Sequence, residues 1–97
     1  MNVNDYFPVD HGYTRGWTEY RTYKHTIECI PLTDLIASQT WCDEIRLEDL
    51  NGIGMYNHDP IDVTPRCDGK YVIRDGHHRA IFARLSGETE ITARVYE

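Results

Sequence analysis

The hydrophobic positions of this chain fall into short clusters whose spacing changes along its length, and the pattern is clearest toward the C-terminus. Around PIDV, Ile61 and Val63 alternate with Asp62 and Thr64, the period of two that marks a strand with one buried face. RCDGKYVIR carries Asp68-Gly69, a pair favoured in two-residue hairpin turns because both positions need φ > 0. Residues 61–67 are therefore expected to pair antiparallel with 70–75. HRAIFARLSG changes to helical spacing: Ile81 and Leu85 lie four apart, Phe82 sits beside them, and Gly87 suits the C-cap. EITARVY then returns to alternation and predicts a last strand with Ile91, Ala93 and Val95 inward.

Upstream the periods are weaker. EYRTYKHTIECI, from Glu19 to Ile30, is rich in β-branched and aromatic residues and predicts one extended strand or a bent pair, stopped by Pro31. LTDLIASQTW predicts a short helix capped by Thr33, with Leu35 and Ile36 buried. DEIRLEDLNGIG predicts further helix through Ile45, Leu47 and Leu50, ended by Gly52 and Gly54. Residues 1–18 show no period and read as an irregular arm preceding a domain at 19–97. The expected fold class is α+β: a small mixed or antiparallel sheet with a β-hairpin and short helices.

Composition narrows the function classes. At 97 residues, 40% hydrophobic and 27% charged, the chain is sized and composed for one modest core. No apolar run approaches the ~20 residues of a membrane helix. The stretch MNVNDYFPVDHG lacks the basic and apolar regions of a secretory leader, so a cytoplasmic site is expected. Cys29, Cys42 and Cys67 are odd in number, far apart and without a C-x-x-C pair. They predict reduced thiols in or near the core rather than a disulfide framework or zinc site. Net charge is −6, with 10 Lys plus Arg against 16 acids, which argues against unassisted binding of duplex DNA. Arg15, Arg21 and Lys24 offer a local basic patch at most. Tyr6, Phe7, Tyr13, Trp17, Tyr20 and Tyr23 make the N-terminal segment sticky. It is expected to pack on the domain, on a second copy or on a host protein; a base-stacking role lacks interleaved basic residues.

The chemistry concentrates in KYVIRDGHHRA, residues 70–80, where a strand-like run gives way to a helix-like one. With the strand ending near Arg74, Asp75 falls where a helix N-cap belongs. The remaining first-turn amides lack partners and carry the positive end of the helix dipole. Gly76 opens the backbone to a close approach, and Arg79 lies where its fork can reach back to an anion. His77 and His78 add ring donors and candidate proton shuttles. Together these are the parts of a phosphate site at a helix start. The plainer reading is a turn with a cap, and histidines that merely pack or face water. A metal on His77 and His78 is awkward, since adjacent helical residues diverge by ~100°.

These residues and their context resemble the ParB/sulfiredoxin-like superfamily. Its pattern is an alternating strand after Pro-Ile, a hairpin with Asp-Gly, an I-x-D-G-H-x-R junction, a helix, a Gly and a final strand. Here it stands as DPIDVTPRCDGKYVIRDGHHRAIFARLSGETEITARVYE, with IECIPLTDL similar to the family's first strand and turn. Members include the ParB partition proteins, which bind CTP; sulfiredoxin, which uses ATP to repair an over-oxidised cysteine; an ADP-dependent serine kinase; and ParB-like nucleases. The resemblance implies that Gly76, His77, His78 and Arg79 hold nucleotide phosphates and that Asp75 orders the loop. His77 stands where sulfiredoxin has its cysteine, so that repair chemistry is not expected. His78 stands where ParB has the first Arg of its Gly-x-Arg-Arg, and a partition clamp is not expected either. DGHHR is nearest to the kinase-like and small stand-alone members, whose catalytic acid lies outside the motif; Glu19, Glu28 and Asp34 all remain open.

The leading expectation is thus a nucleotide-binding domain for ATP or CTP hydrolysis or phosphoryl transfer. Mg²⁺ would enter with ATP, ADP or CTP, and Asp75, His77 and His78 are the candidate catalytic groups. A ParB-like nuclease with the same anion pocket and a non-catalytic phage- or plasmid-type interaction module are the alternatives.

Overall fold

The sheet is built from five short runs, and the computed structural model that shows it describes residues 2–10, 12, 24–42 and 60–96. β1 is His25–Pro31, β2 Leu35–Ala37, β3 Ile61–Pro65, β4 Tyr71–Asp75 and β5 Glu90–Tyr96; α1, His77–Leu85, joins β4 to β5. The strand order is β1-β5-β3-β4-β2. β1 with β5 and β3 with β4 run antiparallel, while β5 with β3 and β4 with β2 run parallel. The result is an α+β domain with a mixed sheet and, among the described residues, one α-helix. No helix among those residues is long and apolar enough to cross a membrane.

The C-terminal elements form where the spacing predicts them, with instructive differences. The hairpin is closed by three residues rather than two: Arg66 N–H donates to Lys70 O at 2.8 Å and Gly69 N–H to Arg66 O at 3.1 Å. Gly69, at φ 87°, takes the left-handed position, as in three-residue hairpins. Asp68 uses its side chain instead, accepting from Lys70 N–H and from the Arg66 guanidinium. That hydrogen bond to Arg66 holds the exposed Asp68 carboxyl low, at about 2. At the far end of the helix, Gly87 N–H bonds to Arg84 O and Glu88 N–H to Ala83 O. This pair defines a Schellman stop, with Gly87 at φ 81°.

β3 departs from simple alternation because it is an inner strand. Ile61 and Val63 join the main core, yet Asp62 and Thr64 on the other face are also buried, each at 3% exposure. Asp62 is neutralised by Arg94 across the strand pair, at 3.0 Å. Opposite β3, the ladder skips a residue: Val63 faces Ile73, but Asp62 faces Asp75. Arg74 is passed over as a bulge, and its Nε donates to Thr64 Oγ1 at 2.9 Å.

Other expectations are corrected. The stretch after Pro31 is not a helix: Leu32–Asp34 makes a single 3-10 turn, and Leu35–Ala37 pairs parallel with Tyr71–Ile73. Leu35, Ile36 and Ala37 are all buried, so this triplet is a strand covered on both faces, a run that periodicity cannot tell from a helix segment. Leu85 is half exposed rather than paired inward with Ile81. Cys42 is buried, but Cys29 and Cys67 are exposed. The start of the N-terminal arm is woven into the domain. Val3 N–H bonds to Thr40 O, Ala37 N–H to Pro8 O and Asp10 N–H to Ala37 O, and Val3 and Phe7 enter the core. Tyr13, Trp17, Tyr20 and Tyr23, the basic residues Arg15 and Arg21, the first part of the 19–30 strand and the 43–54 helical stretch lie outside the described residues.

Candidate functional site

The β4–α1 junction brings Asp75, Gly76, His77, His78 and Arg79 into one corner, as consecutive residues must, but it assigns them different work. β4 extends through Asp75, so the cap position is Gly76, not Asp75, and a glycine has no side chain with which to cap the helix. The first bond of the helix ladder runs from Ala80 N–H to Gly76 O, at 3.0 Å. The amides ahead of it precede the repeating pattern, which leaves this end electropositive.

Gly76 is required by geometry. It sits at φ 105°, where a side chain would be strained. An added Cβ would stand 2.6 Å from Ile61 Cγ2 and 2.8 Å from Arg79 Nη2. The space beside its Cα is therefore filled from within the protein, by β3 on one side and by the Arg79 guanidinium on the other. Arg79 folds back along the helix toward its start, the direction helical side chains favour. Its Nε is buried and has no hydrogen-bond partner. A guanidinium carries five donors, and at least this one is unpaired beside the helix start.

His77 is committed to the fold. It is 4% exposed, and its Nε2 accepts from Ser38 N–H at 3.1 Å. Ser38 follows β2 and also donates its hydroxyl to Ile73 O of β4, at 2.6 Å. Together the two bonds staple the end of β2 to β4 and to the first residue of α1. Burial pushes the His77 imidazole well below its usual range, to about 4, with the Asp75 carboxylate pulling it up and His78 pushing it down. The ring is neutral at pH 7, and because Nε2 accepts, its proton sits on Nδ1. His78, one residue on, is partly exposed, as is Arg79; Asp75 is exposed.

Residues outside the motif complete the picture. Asp62 lies directly across from Asp75 on β3, a buried carboxylate whose alternation with Ile61 and Val63 gives no hint of chemistry. Glu28 lies on β1 and accepts from Thr26 Oγ1 at 2.8 Å, and Asp34 is 4.0 Å from Lys70 Nζ; neither is placed at the junction by any contact. Glu19 lies outside the described residues. No group of three or more His, Cys, Asp or Glu side chains among the described residues is arranged to hold a metal ion. No known family's sequence model matches this chain, and no curated protein matches it.

Proposed function

We propose that the β4–α1 junction binds the phosphates of a nucleotide, and that the domain is a small relative of the ParB/sulfiredoxin-like superfamily acting in NTP hydrolysis or phosphoryl transfer. The observation that carries this reading is Arg79. Its guanidinium lies over Gly76 at the start of the helix, with a buried Nε that has no hydrogen-bond partner. Burying an unpaired donor costs free energy. An anion seated beside the helix start would meet the outer nitrogens of that guanidinium and the first-turn amides, which are charge-assisted donors.

The roles divide by exposure. Arg79 and the amides of the first turn hold phosphate oxygens and stabilise charge on the group transferred. His78, the more accessible ring, serves as proton donor or acceptor. His77 positions the junction rather than reacting, since its acceptor nitrogen is taken by Ser38. Mg²⁺ bound to the nucleotide would neutralise phosphate charge, and Asp75 is the exposed carboxylate of the junction suited to meet it.

Calorimetric titration of the protein with ATP, ADP, CTP and GTP in the presence of Mg²⁺ tests the reading. At least one nucleotide is expected to bind. Arg79→Gln, which keeps most of the side-chain stem, is expected to weaken binding by about 10- to 100-fold, the worth of a charged hydrogen bond. Equal affinity in wild type and in a folded Arg79→Gln protein would remove the site from consideration.

A further inference from the structure

We propose that β1 is a docking edge for a second copy of this chain, joined antiparallel so that the two sheets become continuous. Among the described residues β1 pairs with β5 alone and forms the end of the sheet. Six of its seven residues are exposed, and Ile27 shows 57% of its surface. A strand edge offers unpaired N–H and C=O groups that template another strand. Of the devices that blunt an edge, β1 carries one charged side chain, Glu28, and Pro31 at its last position.

The sequence of the strand selects the occupant. A two-fold axis perpendicular to the sheet keeps both helices on one side and pairs residues of equal parity. Centred on Thr26, it sets Lys24 of each copy opposite the second copy's Glu28, giving two ion pairs on one face. The same register sets His25 opposite the second copy's Ile27 on the other face. His25 already lies against Tyr96, with ring centroids 5.0 Å apart, so the exposed Ile27 side chains are covered by aromatic surface. Centred on Glu28 instead, the axis brings two carboxylates face to face. Centred on Ile27, it leaves Lys24 opposite an apolar Ile30. The charge pattern therefore favours the Thr26-centred dimer over those two registers. The surface is small, so the association is weak and concentration-dependent.

Sedimentation velocity on the whole chain across a wide concentration range tests this. A monomer–dimer equilibrium weakened by salt is expected. Glu28→Lys reduces the net charge from −6 and so eases general repulsion between copies, yet it sets Lys24 against lysine and is expected to weaken dimerisation by about tenfold. The double variant Lys24→Glu/Glu28→Lys restores the ion pairs and is expected to recover the dimer. Both positions are exposed, and circular dichroism checks that the fold persists. A monomer at every concentration overturns the proposal, as does a dimer indifferent to Glu28→Lys or a double variant that fails to recover.

Discussion

His77 Nε2 accepts a hydrogen bond from the backbone N–H of Ser38, tying the first residue of the helix to the residue that follows β2. Protonation of the ring destroys that acceptor and places a cation in a buried site. The folded-state pKa of about 4 lies below the ordinary histidine value of 6.5, so the unfolded chain binds the proton more tightly. Stability from this group is complete above about pH 6.5 and is lost as pH falls toward 4, a total of about 3 kcal/mol. Urea unfolding of wild type and His77→Gln between pH 7.5 and 4.5 isolates the contribution. The wild type is expected to lose its advantage over the variant across that window, and a constant difference would show that the ring does not titrate there.

Two glycines at positive φ make a controlled pair. At Gly87 nothing lies within 4 Å of an added Cβ, whereas at Gly76 it meets Ile61 Cγ2 at 2.6 Å. Gly87→Ala should therefore cost only the left-handed strain, about 1 kcal/mol. Gly76→Ala adds a clash with an inner strand and should cost about 3 kcal/mol. Thermal or urea unfolding of the two variants reads the gap directly.

The part-buried pair of Asp62 and Arg94 should respond asymmetrically to truncation. The Asp62 side chain is 5% exposed and that of Arg94 35%. Arg94→Ala strands a carboxylate away from water and is expected to cost about 3 kcal/mol. Asp62→Ala leaves an arginine able to turn toward solvent, at about 1 kcal/mol. Equal losses in denaturant unfolding would mean that the ion pair is not the reason Asp62 is tolerated there.

The division of labour proposed for the two histidines is open to kinetics. If nucleotide turnover is found, His78→Gln should lower kcat by about 100-fold or more with little change in nucleotide affinity. His77→Gln should act mainly through stability. The opposite assignment, with His77 controlling kcat in a fully folded variant, would reverse the roles.

Much of this architecture was readable from the residues, and the failures have physical causes. β3, β4, α1 and β5 carry strong periods and strong punctuation, and Gly87 stops the helix where its sequence position suggests. The strand Leu35–Ala37 reads as helix in the sequence because three consecutive apolar residues carry no phase; parallel pairing with Tyr71–Ile73 makes it a strand. The hairpin has one residue more in its turn than Asp68-Gly69 suggests, because Asp68 uses its side chain to hold Lys70 and Arg66. At the junction, the return of Arg79 over Gly76 follows from side-chain direction in helices. The commitment of His77 to Ser38, 39 positions earlier in the chain, has no local signature, and neither does the seating of Gly76 against Ile61. Both depend on which strands become neighbours.

The bulge at Arg74 sets the timing of everything after it. Because the register shifts by one residue at Arg74, the chain reaches Gly76 half a pleat later than strict alternation would deliver it. Asp75 lands beside Asp62, and the glycine lands against Ile61. Position 74 should accordingly accept changes of side chain far more readily than a change of length. Deleting it would rephase the corner, swing Asp75 to the helical side and lift the glycine from its seat, dismantling the junction while Asp75 to Arg79 were all still present.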